Sequence, residues 1–287
     1  KDYPKKFIPK IEDPLVKRYW TDEMAKTSDF HKSEKMGYFV SKFDRFVTER
    51  TIRNIIGQSK SAVDFNKVMT EKKILLVDLS KGKIGEENSN FLGLILVPRI
   101  LAAALGRASL LGKEDFPDFY LYVDEFQNFA TPDFATILSE ARKYKLNLIV
   151  ANQFIAQLTD EVKDAVFGNV GTTAAFRVGA DDAGYLETQF EPQFTQSDLI
   201  SNPIGNLYLK LLVDGHPTEP FSMKVDWEMI TNTKKDPEIA KIIREKSRLK
   251  YGKPVQEVEA AIAARAGSNE IEDQKESTKL PKRKIPF

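Results

Sequence analysis

The chain has 287 residues, with 43 basic and 42 acidic side chains and a formal net charge of +1. Hydrophobic residues at 41% and charged residues at 30% fit a globular chain able to bury a core, and near-neutrality excludes a wholesale polycation for nucleic acid or an acidic tail protein. The absence of cysteine removes disulfides, thiolate metal sites and thiol nucleophiles, and His31 and His216 alone are too few and too far apart in sequence for a histidine metal centre or a Ser-His-Asp triad.

Residues 1–72 read as helical and polar, without a strand-like run. Met36, Phe39, Val40, Phe43, Phe46 and Val47 recur at the spacing of one helical face, which predicts a helix over 33–48. A further helix is expected over 61–70. The opening KDYPKKFIPK has neither Met nor an apolar leader core, and the chain reads as part of a longer protein.

The texture changes at residue 73. Ile74–Leu79 (ILLVDL) is a short apolar run of the kind found in strands buried on both faces. A helix is expected over about 88–108. Its apolar stretch 91–105 is interrupted by Pro98 and Arg99 and falls short of the ~20 residues of a membrane span, so it reads as a helix packed on a sheet. Strands are expected at Phe119–Val123, Leu146–Ala151 and Thr172–Val178, separated by helices over 133–144 and 154–167 and followed by one over 181–190. Asn206–Val213 and Pro220–Val225 read as a closing hairpin turned by Asp214-Gly215-His216-Pro217. Strand–helix alternation at this spacing predicts an α/β fold with a mostly parallel sheet and an antiparallel edge hairpin. Residues 231–267 read as one or two exposed helices, and 268–287 as a polar tail too poor in apolar residues to fold.

FYLYVDEFQNF, residues 119–129, carries the strongest chemical signal. Asp124 and Glu125 stand at the carboxyl end of a strand, the edge where open α/β sheets bind ligands. In nucleotide hydrolases such a pair divides its labour: the Asp orders the Mg²⁺ shell and the Glu polarises the attacking water. The blander reading is a pair of acids complementing a helix N-terminus. Gln153 ends the next strand and would stand beside Glu125 if the two strands are neighbours. Its amide could then bridge a water and a phosphate.

Arg142 lies near the far end of the intervening helix. A helix of about 12 residues is ~18 Å long, so Arg142 cannot reach its own Glu125. It either reaches a phosphate on a neighbouring subunit or complements its helix dipole beside Lys143 and Lys145. Arg177, inside the run TTAAFRVG, faces a phosphate or pairs with Asp181 or Asp182. A phosphate cradle of the G-x-x-x-x-G-K-[ST] type is missing. The nearest stretch, VDLSKGKIG, has Val77 in place of the first glycine and Ile84 in place of the hydroxyl.

Three stretches, VDLSKGKIGEENSNFLG, YLYVDEFQNFATPDFATILSEARKYKLNLIVANQ and FGNVGTTAAFRVGADDAGYLETQF, together resemble the type IV secretion coupling proteins. These are TraD/TraG-like conjugative DNA-transfer ATPases of the FtsK/HerA superfamily. The resemblance covers roughly residues 50–225 and includes the spacing of Arg142 to Gln153. It implies a RecA-like P-loop NTPase core that binds ATP and Mg²⁺ and works as a homo-hexamer around DNA, the single-stranded transfer strand. By resemblance Asp124 and Glu125 are the Walker B pair, with Asp124 holding Mg²⁺ through water. Gln153 is the sensor, Arg142 a finger acting in trans, and Arg177 a candidate nucleotide contact. Relaxosome and secretion-channel proteins are the implied partners, and the cytoplasmic face of a bacterial inner membrane the implied location.

The resemblance divides the chain into the end of an all-α domain (1–72), the C-terminal part of the ATPase domain (73–230), a helical extension (231–267) and the tail. The family's Walker A would lie upstream, which leaves autonomous ATPase activity of this chain open. The alternatives are a catalytically silent ring subunit or partner-binding module, and a carboxylate-metal phosphodiesterase that recruits Asp78. Lys81, Lys83 and Lys113 stand in loops that could meet DNA phosphates or simply be solvated.

Overall fold

The computed structural model describes residues 7–110, 116–131, 138 and 140–266. The chain forms two compact units, one of residues 1–60 with 253–287 and one of 61–252. The tail expected over 268–287 and Lys113 lie outside the described residues.

In the first unit, Asp13 caps the Pro14–Arg18 helix by accepting the N–H groups of Leu15 and Val16. The helical run continues through a π-helical turn, Tyr19–Glu23, to Met24–Lys26. The expected helix over 33–48 is present but longer, Asp29–Thr48. Of its apolar stripe, Val40, Phe43 and Val47 remain about half exposed. Arg50–Ile56 follows, capped by Glu49, and Ile52 is fully buried. The Val255–Ala266 helix returns from the far end of the sequence to pack on it through Val258. Arg50 grips Glu259 with two contacts, Nε to Oε1 at 2.6 Å and Nη2 to Oε2 at 3.0 Å. Asn54 donates to the same carboxylate at 3.2 Å, and Arg265 donates to the Gly57 carbonyl.

The second unit is built around the Glu86–Leu105 helix, which contributes buried Val97, Ile100, Leu101 and Ala104 to the core. It is longer than its apolar stretch, and by length and composition alone it could cross a membrane. Phe65–Thr70, capped by Asp64, packs Met69 into the same core.

Strands β1 (Phe119–Val123) and β2 (Leu146–Val150) pair in parallel, with Phe119 opposite Leu146 and Val123 opposite Val150. Phe119, Leu121, Val123, Leu146, Leu148 and Val150 face the core; Tyr120, Tyr122 and Ile149, of opposite parity, stay exposed. The strand expected over Ile74–Leu79 does not form: the segment carries no regular secondary structure and pairs with no described strand. Ile74 is 88% and Leu76 80% exposed, so the run that reads as doubly buried is open to solvent.

Past β2 the expected helix over 154–167 divides at Thr159 into a short 3-10 turn, Ile155–Gln157, and the Asp160–Asn169 helix. β3 (Thr173–Ala175) is shorter than expected and runs antiparallel to β4 (Asn206–Lys210), which pairs antiparallel with β7 (Phe221–Lys224). Between them β5 (Leu212–Val213) and β6 (His216–Pro217) close a hairpin. Asp214 and Gly215 both take positive φ there, 51° and 81°, the two-residue turn that suits the twist of paired strands.

The Ala180–Phe190 helix covers this second sheet, burying Ala183, Leu186 and Phe190 with Leu199 of the Gln196–Ser201 helix. Strand pairing among the described residues thus comprises a parallel pair, an antiparallel triplet and a small hairpin. The helical stretch after β7 resolves into Trp227–Asn232 and Pro237–Tyr251, the latter capped by Asp236.

Candidate functional site

The carboxyl ends of β1 and β2 meet. Ala151 donates its N–H to Val123 O at 3.0 Å, and Phe126 donates to Ala151 O at 2.9 Å, so the ladder runs beyond the strands. This continuation brings the residue after Asp124 against the residues that follow β2. Glu125 turns the chain in a left-handed conformation, φ 49° and ψ 46°. A non-glycine residue held there is strained unless its surroundings fix it. Phe126, fully buried, and Phe129, nearly so, supply that anchor. Phe129 lies against Gly93 of the central helix, where a Cβ would come within 2.1 Å of the ring.

Glu125 is consequently held by amides. Gln153 donates Nε2–H to Oε1 at 2.6 Å, and Gln127 donates Nε2–H to Oε2 at 2.6 Å. Asp124 accepts the Glu125 N–H at 3.0 Å, and its side chain stays exposed. The neighbouring-strand condition placed on Gln153 is met.

The turn carrying Gln153 is itself pinned. Asp182, 5% exposed, accepts the N–H groups of Ile155 at 3.0 Å and Ala156 at 3.1 Å. Sequence reasoning offered Asp182 as a partner for Arg177, but its carboxylate is committed to these two backbone amides. Arg177 lies beyond the end of β3, in a bend, and is exposed rather than inside a buried strand. A charged side chain with access to water needs no partner.

Arg142 sits in the 3-10 turn Ala141–Tyr144, exposed and immediately before the amino end of β2. It stands at the opposite edge of the pair from Glu125, separated by the length of a five-residue strand, roughly 15 Å. Most of the helix expected over 133–144 lies outside the described residues.

An open cleft of about 2200 Å³ runs along the acidic edge. Asp124, Glu125, Gln127 and Gln153 line it, together with the Ile74–Leu79 segment and Arg244 and Arg248 of the Pro237–Tyr251 helix. Asp78 is bonded to Lys83 and accepts the Ser80 N–H at 3.1 Å; the Lys83 ammonium, then these Ser80 bonds, hold its carboxyl down at about 2. Lys81 pairs with Glu86 at 2.6 Å. Both loop lysines are therefore neutralised within their own turn.

The residues present fit half of a magnesium–nucleotide site. Asp124 and Glu125 offer oxygen donors suited to a hydrated hard cation and a polarised water. The Ser80–Gly85 turn is no phosphate cradle. Ser80 N–H goes to Asp78, those of Lys83 and Ile84 to Ser80 O, and that of Gly85 to Lys81 O. Among the described residues no three carboxylate or imidazole groups converge as a metal centre, so Asp78 does not complete a phosphodiesterase site.

Comparison with known families falls on this same edge. Residues 118–187 match the family model described as the TraM recognition site of TraD and TraG. The matched stretch holds β1, β2, Asp124, Glu125, Gln153 and Asp182. The TraD/TraG likeness read from the sequence is thus carried, over these residues, by an independent match. No curated protein matches the chain.

No motif marks Gln127 or Gly93, and Asp182 is legible only as a candidate partner of Arg177, not as the acceptor of the Ile155 and Ala156 amides. Their roles depend on contacts made only after folding, and Gln127 merely follows the acidic pair by two positions.

Proposed function

We propose that this chain supplies the hydrolytic half of the ATP site of a ring-forming, DNA-translocating coupling motor with a RecA-like core. The observation that carries the reading is Glu125. It is an acid at the carboxyl edge of a parallel pair, held left-handed and bonded at 2.6 Å to Gln153 of the adjoining strand. An acid so placed is oriented toward a ligand rather than toward its own core.

In this reading Asp124 would hold the water shell of a bound Mg²⁺, which would supply charge stabilisation, and Glu125 would accept a proton from the attacking water. Gln153 couples that acid to the phosphate it senses. Magnesium-bound ATP supplies the phosphoryl group, and the phosphate cradle comes from outside the described residues. Arg142, on the far edge, serves a neighbouring subunit's site. The ring is a homo-hexamer around the transfer strand, at the cytoplasmic face of the membrane where ATP is available. Arg177 is exposed and follows β3, a strand of the other sheet, so it ranks below the other four.

The test is ATP turnover by the full-length protein, with and without single-stranded DNA, for wild type, Glu125→Gln and Arg142→Ala. DNA-stimulated turnover, abolished by either substitution and partly restored on mixing the two variants, is the expected result. Turnover indifferent to Glu125→Gln would sink the assignment.

The match to a TraM recognition site favours a second role that can stand with or without hydrolysis. The 118–187 region would dock a TraM-type relaxosome protein. Measured binding of such a protein to the full chain, alongside absent ATPase activity, would leave a partner-binding module as the reading.

A further inference from the structure

The Glu125 carboxylate is gripped at both oxygens, and the two grips differ in origin. Gln153 reaches Oε1 from the strand alongside, whereas Gln127 reaches Oε2 from the turn Phe126–Asn128 that Glu125 itself begins. Rotating the Gln127 amide would set its oxygen against the carboxylate, so only the N–H orientation is favourable. In that orientation Gln127 Oε1 is buried with no hydrogen-bond donor among the described residues. A buried amide oxygen left without a donor is uncommon, and its presence indicates that the side chain is placed for its other end.

The local backbone enforces the arrangement. Glu125 turns left-handed, fully buried Phe126 fixes the next residue, and Asn128 donates its N–H back to Glu125 O at 3.0 Å. Gln127 is thereby folded back against the acid that precedes it by two positions.

We propose that Gln127 is a positioning residue for Glu125. It fixes the carboxylate so that the oxygen lone pairs not engaged by amides open toward the cleft. This rests on the nucleotide reading above. Gln127 touches no reacting atom and acts through Glu125. The bond from Gln153 can break when that side chain turns to another ligand, while the bond from Gln127 stays within one turn and keeps the acid aimed.

Two measurements on the full-length protein test the assignment. In the nucleotide-free protein, the side-chain amide NMR signal lost in Gln127→Leu identifies Gln127, and Glu125→Ala should displace it. In steady-state turnover, Gln127→Leu should lower kcat roughly 10- to 100-fold with KM little changed, the mark of misplacement rather than lost binding. Added to Glu125→Asp, it should cost little more, because both act through one carboxylate. An unmoved amide signal, wild-type kcat in Gln127→Leu, or losses that multiply in the double variant would each overturn the role. Absence of turnover in the unsubstituted protein overturns the nucleotide reading and the positioning role with it, while the amide shift still reports the contact.

Discussion

Asp182 holds the Ile155 backbone in place from a helix 27 residues further along the chain, accepting its N–H at 3.0 Å. The same carboxylate takes the Ala156 N–H at 3.1 Å, so one buried acid sets the path of the chain just after Gln153. Hydrogen bonds to a charged acceptor contribute about 1.5–3 kcal/mol each, and their loss leaves two amides without a partner. Asp182→Ala is expected to lower unfolding stability by about 3 kcal/mol, read as a reduced urea midpoint at unchanged slope. A midpoint within experimental error of wild type would show that water replaces the carboxylate without cost.

Gly93→Ala tests the seat of Phe129. The new methyl would meet the ring at 2.1 Å, and the neighbour is a core aromatic, not the end of a flexible chain. Overpacking of this kind costs about 1–3 kcal/mol. Thermal unfolding should show the loss, and Phe129→Leu in the same protein should recover part of it. An unaffected melting temperature would mean that the turn after Glu125 is looser than its packing indicates.

Arg107 is 4% exposed and donates Nη1–H to Tyr144 O at 2.8 Å and to Pro117 O at 3.4 Å, with its guanidinium 5.0 Å from the Phe116 ring centre. Burial pushes its pKa down and nearby Asp118 acts against that shift. Because it joins the segments entering β1 and β2, Arg107→Met should cost about 2 kcal/mol in chemical denaturation. Arg107→Lys should not restore the loss, since an ammonium lacks the flat guanidinium face that lies 5.0 Å from the Phe116 ring centre. Full recovery with lysine would show that charge alone matters there.

Glu259 carries a pH signature. Arg50 first and Asn54 second hold its carboxyl down from an ordinary 4.5 to about 2. A depressed folded-state value stabilises the folded chain above pH 4.5 and loses that contribution as pH falls through about 2. The stability difference between wild type and Arg50→Met should therefore be largest above pH 5 and shrink toward pH 2. It should also shrink with added salt, because Arg50 is exposed. A difference that stays constant over this range would assign the effect to packing of the arginine stem.

Local pattern was enough for some of this molecule and insufficient for the rest. FYLYV and LNLIV announced their strands, and their common carboxyl edge placed Gln153 beside Glu125. The Asp214-Gly215 turn was equally readable, because positive φ at two successive positions selects those residues. ILLVDL looked just as strand-like, yet a strand exists only when a neighbour supplies its hydrogen bonds, and apolar content does not specify that neighbour. The stripe on Asp29–Thr48 has helical period, yet Val40, Phe43 and Val47 stay about half exposed, since periodicity reports a face and not what covers it. Arg177 seemed to lie inside a strand that ends two residues earlier, a boundary too fine for composition. Gln127 and Gly93 carry no sequence signal, and Asp182 reads as a partner for Arg177 rather than for the Ile155 and Ala156 amides, because each acts on residues that only folding brings near.

The clasp of Arg50 and Glu259 has a consequence for synthesis. The 61–252 unit is contiguous and can begin to fold as it leaves the ribosome, whereas the helix carrying Glu259, the partner of Arg50, is translated only after that unit. Residues 1–60 are thus made before the 61–252 unit but find their partner segment only after it. Until then Arg50 and Asn54 lack the Glu259 carboxylate, and a chain stalled before residue 255 would leave the Arg50–Ile56 helix without the Val255–Ala266 helix that packs on it.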